Sequence, residues 1–161
     1  MSAIPKKPRE ILALLVVLLS AQATRALARD FLPIGATPYV ESWDFIETSS
    51  IAIDGTARTY WILSANTNAG ADDPHQIAYI MRRYINDCQA HKTVLSYVGL
   101  YDYDGRLLKH DLARQATRHV RAHTREAAIE ALACNAATPH SSPILPTIDD
   151  AIAWARAQKA R

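Results

Sequence analysis

Cysteine, histidine, carboxylate and arginine side chains are the groups in this chain whose spacing could do chemistry. Cys88 and Cys134 are its two cysteines. In an exported chain two such thiols are expected to join as a structural disulfide, which removes both as nucleophiles. The six histidines, His75, His91, His110, His119, His123 and His140, form no HxH, HxxxE or HExxH pattern. His119 and His123 stand at i, i+4, but His119 precedes the helix predicted below, so the pair is not expected to align as metal ligands. Ser64, Ser96, Ser141 and Ser142 lack the glycine-flanked turn of a serine hydrolase, and GxSxG is absent. Glu41, Asp44, Glu47, Asp102 and Asp104 could converge as the acid and base of a hydrolase, although nothing in their spacing selects a pair. No catalytic residue, metal ligand or cofactor is expected.

Charge distribution gives the clearest functional signal. From Arg106 to Arg125 the chain carries Arg106, Lys109, Arg114, Arg118, Arg121 and Arg125 with His110, His119 and His123, opposed by Asp111 alone. Arg114, Arg118, Arg121 and Arg125 are the candidate ligand-binding residues. They would meet an acidic envelope or extracellular macromolecule such as lipopolysaccharide phosphates, a sulfated polysaccharide or an acidic protein. The plainer reading is solvated charge that discourages edge-to-edge strand pairing.

Those residues lie downstream of an export signal. Lys6, Lys7 and Arg9 precede Ile11 to Leu19, ILALLVVLL, which has no polar side chain, and Ala26-Leu27-Ala28 follows as the preferred cleavage motif, ahead of Ala21-Gln22-Ala23. The apolar run is about half the ~20 residues that a spanning helix needs, so cleavage after Ala28 is expected and no membrane span should remain. No cysteine follows the run for lipid attachment. Removing residues 1–28 turns the formal charge of +2 into −1, with 14 basic and 15 acidic side chains left. Export and that balance disfavour nucleic acid as a partner. A periplasmic or secreted chain of 133 residues remains, enough for one domain with a modest core.

The elements that must position these groups are mostly strands. Residues from Tyr39 to Ile53 are strand-like, and Asp54-Gly55 turns them into Thr56 to Ala65, rich in aromatic and β-branched types. Asn66 to Pro74 reads as a loop. Residues 76–88 fit a strand by the alternation of Ile77, Tyr79 and Met81, although Ile77, Ile80, Met81 and Tyr84 also fit a helix. Thr93 to Tyr103 is the clearest strand, with Val94, Val98 and Leu100 opposing Leu95, Tyr97 and Tyr101 across the pleat. Asp104-Gly105 then turns it into Arg106 to His110. Thr117 to Ala122 could add a last short strand. At Thr124, a suitable N-cap, the period becomes helical through Ala136. Ala128, Ile129, Leu132 and Ala136 should form the inner side of this helix, with Glu126 and Glu130 outside. Thr138 to Pro146 reads as a Pro/Ser linker, and residues 147–161 as a short terminal helix capped by Thr147 and Asp150 that docks weakly or frays. The strands are apolar on both sides, so the second face needs the terminal helix or a second copy of the chain, as in a homodimer.

The expected fold is therefore α+β: an antiparallel sheet of about six strands with a C-terminal helix packed on one face and tied by a disulfide, spanning residues 29–137. The order Ser49-Ser50-Ile51-Ala52-Ile53-Asp54-Gly55, Tyr60-Trp61-Ile62-Leu63, Tyr84-Ile85-Asn86-Asp87-Cys88 and a helix ending in Ala133-Cys134 resembles the surface-adhesin protein E type domain of Gram-negative bacteria. The resemblance implies that same architecture and an exported surface or periplasmic protein, in some members an adhesin for extracellular-matrix proteins or plasminogen. The missing lipid-attachment cysteine and the extra terminal helix favour a soluble periplasmic or secreted form. A non-enzymatic, adhesin-like binding protein is the expectation, with a small periplasmic hydrolase using histidines and carboxylates in loops as the alternative.

Overall fold

A computed structural model describes residues 29–37, 41–68, 76–112, 116–135 and 142–159. The predicted signal segment and the cleavage expected after Ala28, together with His75, His140 and Arg114, lie outside the described residues.

The strands β1 (Phe31–Thr37), β2 (Ser42–Asp54), β3 (Ala57–Asn66), β4 (Tyr79–Asp87), β5 (Lys92–Tyr101) and β6 (Leu107–Asp111) form one antiparallel meander in chain order. A short β7 (Arg118–His119) pairs with the other end of β5 through Lys92 and Thr93. The sheet contains both predicted Asp-Gly turns, in which Gly55 (φ 56°) and Gly105 (φ 74°) adopt left-handed backbone that β-branched residues resist. The strand reading of residues 76–88 holds, and the helical alternative does not. β1 was not anticipated. It contains Pro33 and Gly35, between which its register against β2 shifts, as an edge strand tolerates.

Because side chains alternate across a pleat, two faces follow from the register. One carries Phe45, Leu63, Tyr79 and Met81, and the other carries Leu32, Ile46, Tyr60 and Ile62. The alternation breaks once in β5: Tyr97 pairs with Arg83 and Leu95 with Tyr84, which leaves Ser96 in a bulge. Leu95 therefore shares a face with Val98 and Leu100, and Val94 does not, contrary to the simple period-two reading.

Each face is covered by a helix. Helix α1 (Arg125–Cys134) is capped by Thr124, whose side chain accepts from the Ala127 N–H at 3.2 Å. It lies over Leu32, Ile46, Tyr60 and Ile62. Its buried residues are Ile129, Glu130 and Ala133, while Ala128 is exposed. The expected apolar stripe is thus rotated, and Glu130 turns inward to meet His91 at 3.3 Å. Cys134 at the end of α1 is bridged to Cys88 just after β4, with Cα atoms 5.9 Å apart.

Helix α2 (Ile148–Lys159) covers the opposite face. Thr147 and Asp150 form the predicted capping box, with the Asp150 N–H donating to Thr147 Oγ1 at 3.1 Å and that hydroxyl donating to Asp150 Oδ2 at 2.6 Å. Ala151, Ile152 and Ala155 are buried, and Trp154 meets Trp43 and Phe45 edge-on at 4.9 and 5.8 Å between centroids. The terminal helix docks firmly, so it supplies the cover that either it or a second copy had to provide. Leu145 in the preceding segment pairs with Phe31 by two backbone hydrogen bonds of 2.9 and 3.0 Å, which extends the meander's first edge.

Candidate functional site

Beneath the start of α1 the sheet is concave, and a cleft of about 190 Å³ opens there. Its floor comes from β3 and β4, where Tyr60, Ile62, Arg82, Tyr84 and Asn86 project to one side. Its roof comes from Arg125, Glu126 and Ile129 of α1. Thr93 of β5 and Val120, just after β7, close one end. A volume of that order admits a ligand of roughly ten heavy atoms or one acidic headgroup.

A polar relay crosses this cleft. Arg125 forms an ion pair with Asp44 Oδ2, Ser64 donates to Asp44 Oδ1 at 2.5 Å, and Arg82 donates to Ser64 Oγ at 2.5 Å. Asp44 and Ser64 are buried, as the interior side of β2 and β3 requires. Two guanidinium groups therefore converge around one carboxylate and one hydroxyl, with donors left over on both. Arg125 Nε is buried and has no hydrogen-bond partner among the described residues. Burial pulls the Arg125 pKa down, opposed by the neighbouring Glu126 carboxylate. An incoming anion would offset that desolvation directly.

The aromatic wall is also polar at its tips. Tyr60 and Tyr84 stack at 5.9 Å, and the Tyr60 hydroxyl donates to Asn86 Oδ1 at 3.1 Å. Both phenols have raised pKa values. For Tyr60 the cause is burial followed by the Tyr84 and Glu130 neighbours, and for Tyr84 it is burial, partly offset by Arg82. At neutral pH they therefore act as hydrogen-bonding phenols, not as anions.

The arginines singled out from the sequence take different places. Arg125 enters the cleft. Arg118 is exposed and sits opposite Thr93, on the cleft's side of the sheet, and Arg121 is exposed in the turn leading into α1. Arg106 stands apart at the β5–β6 turn, 3.7 Å from Asp104. The five carboxylates do not converge. Asp44 is in the cleft and Glu47 lies on the opposite face. Asp102 accepts from the Asp104 and Arg106 N–H groups at 3.0 and 2.8 Å, and Glu41 meets Lys159 at 3.3 Å. His119 lies in β7 and His123 in a left-handed turn (φ 61°), so they share no helix face. Among the described residues no group of three or more His, Cys, Asp or Glu side chains is placed to hold a metal ion, and no helix is long and apolar enough to cross a membrane.

Sequence reasoning missed Arg82, Tyr60 and Asn86. A signal was present: Ile80, Arg82, Tyr84 and Asn86 alternate along β4, and an arginine and an asparagine on an inward-facing row must find buried partners.

No family model and no curated protein matches the chain. Among solved structures the chain is similar to protein E from non-typeable Haemophilus influenzae, at 10% identity and a TM-score of 0.44, over 80% of this chain and 88% of that one.

Proposed function

We propose that this chain works outside the cytoplasm as a non-enzymatic binding protein. The cleft beneath α1 takes an acidic group of its ligand, and Arg118 and Arg121 engage further negative charge at the rim. The observation that carries this reading is the convergence of Arg82 and Arg125 on one concave site, held in place by Asp44 and Ser64. The Cys88–Cys134 bridge supports an oxidising compartment, where such cross-links persist. The motif resemblance to adhesin domains supports binding rather than turnover. Asp44 and Glu126 balance Arg82 and Arg125 within the cleft, so it is the rim charge of Arg118 and Arg121 that makes a periplasmic or secreted acidic macromolecule, such as a sulfated polysaccharide or the phosphates of an envelope lipid, the partner class.

A small hydrolase remains the competing class, and the His91–Glu130 pair is the geometry that favours it. His91 does not line the cleft, and its side chain is 69% exposed. That environment suits a surface ion pair better than an acid-base device.

The test is retention of the oxidised protein on an immobilised heparin oligosaccharide. The native chain should bind at physiological ionic strength and weaken as salt rises. Arg118→Ala combined with Arg121→Ala should lower affinity through slower association, and Arg82→Gln should speed dissociation. Equal retention of all three proteins, or none for the native chain, overturns the reading.

A further inference from the structure

The face that carries α2 has a second concavity, of about 270 Å³, on the side of the sheet opposite the arginine relay. It is lined by Arg29, Glu47, Ser50, Trp61, Met81 and Tyr101. Glu47 and Trp61 are direct cross-strand partners, their row continues through Arg83 of β4 to Tyr97 of β5, and Met81 and Tyr101 stand on the same face one and two rows further along.

Its rings are held in advance of any ligand. Trp61 meets Tyr97 edge-on at 5.4 Å, and Tyr101 stacks on Tyr79 at 4.9 Å. Both β5 tyrosines lean over Gly99: a Cβ there would lie 2.8 Å from Tyr101 Cε2 and 3.0 Å from Tyr97 Cε1. Glycine at this position is what lets the two rings close over the strand. Ser50 fixes the other end, accepting from the Trp61 N–H at 3.0 Å and donating to the Glu47 carbonyl at 2.7 Å.

Within this aromatic frame sits a carboxylate with an incomplete partner. The Glu47 side chain is 9% exposed, and its ion-pair contact is Arg29 Nε at 3.5 Å, from a side chain that is 53% exposed. Burial pushes the Glu47 carboxyl up and Arg29 only partly offsets it. A desolvated negative charge in a cavity lined by Trp61 and Tyr101 calls for a weakly hydrated cation, which can gain from both the charge and the ring quadrupoles. A hard metal ion would need about six oxygens, and an anion would be repelled.

We propose that this groove is a binding site for an organic ammonium group, a quaternary or alkylated amine, held by Glu47 between Trp61 and Tyr101. Arg29 is the internal cation that the ligand displaces. Its half-exposed side chain loses little on release. The site is independent of the cleft beneath α1 and stands or falls apart from it.

The oxidised protein is titrated with choline while the Trp61 indole N–H resonance is followed. A saturable shift is expected. The carbon isostere of choline, with a tert-butyl group in place of trimethylammonium, should bind at least about tenfold more weakly, because it keeps the shape and loses the charge. Glu47→Gln should weaken choline by about tenfold or more. Arg29→Ala should tighten it severalfold, a gain that misfolding cannot produce. The proposal is overturned if choline gives no shift, if the isostere or methyl glucoside binds as well as choline, if Glu47→Gln leaves the affinity unchanged, or if Arg29→Ala weakens it.

Discussion

The two helices cover opposite faces of one sheet by different means. Helix α1 buries Ile129 and Ala133, together with the charged Glu130, adds the partly buried Leu132, and roofs a polar cleft. Helix α2 buries Ala151, Ile152 and Ala155 and sets Trp154 against Trp43 and Phe45. The helix with the poorer apolar contact carries the disulfide, and the helix with the aromatic anchor has none. A covalent tether lets α1 keep a water-accessible, arginine-lined underside that packing alone would not hold closed. The arginine-bearing cleft therefore sits under the tethered helix.

Removing the tether should have the largest effect. Cys88→Ala combined with Cys134→Ala should lower stability by about 4 kcal/mol in the chain-entropy picture. Native-state hydrogen exchange should show α1 amides opening first, with α2 still protected. Equal loss of protection in both helices would erase the contrast between the faces.

Trp154→Ala probes the other side. Loss of a large, partly buried ring from the Trp43–Phe45 contact should cost about 3 kcal/mol in urea unfolding and open α2 while α1 stays closed. A cost below about 1 kcal/mol would mean that the ring does not anchor the helix.

Within the cleft, Asp44→Asn removes the carboxylate that Arg125 and Ser64 share. The expected cost is about 2 kcal/mol, less than for a fully buried pair because the Arg125 side chain remains 31% exposed. Adding Arg125→Gln to that variant should recover part of the loss, and a strictly additive double variant would argue against the relay. Thr147→Ala breaks the α2 capping box and should cost about 1 kcal/mol. Thr124→Ala, at the helix that the disulfide already holds, should cost no more.

Much of this architecture is readable in the sequence, and the exceptions share a cause. The β2–β3 and β5–β6 hairpins follow from alternation and the Asp54-Gly55 and Asp104-Gly105 turns, and both helix starts follow from Thr124 and Thr147. The bridge follows from the chain's two cysteines, which are expected to pair. β1 escaped because Pro33 and Gly35 disguise an edge strand whose pairing is set by β2. Ser96 and Glu130 escaped for a related reason: a bulge and an inward carboxylate depend on partners in other elements, Arg83 and His91, that no local period records. The cleft was half legible. Arg118, Arg121 and Arg125 announced a basic region, but Arg82 and Asp44 join it only through the β2–β3–β4 register.

The smallest expected effect sharpens the contrast in charge between the faces. Burial raises the Glu47 carboxyl above its ordinary range on the α2 side. The folded protein then holds that proton at pH values where the unfolded chain has already released it. By linkage, Glu47's contribution is most favourable in acid and is lost as pH rises through the raised value. Glu47→Gln has no proton to lose. Its stability relative to the native chain should therefore improve as pH climbs from below the carboxylate range towards neutrality, and level off above it. Urea unfolding of the two proteins across that range measures the gap. A gap that stays constant would mean that Arg29 neutralises Glu47 fully, and the carboxylate would then lack the unmet charge that distinguishes its groove from the arginine-lined cleft.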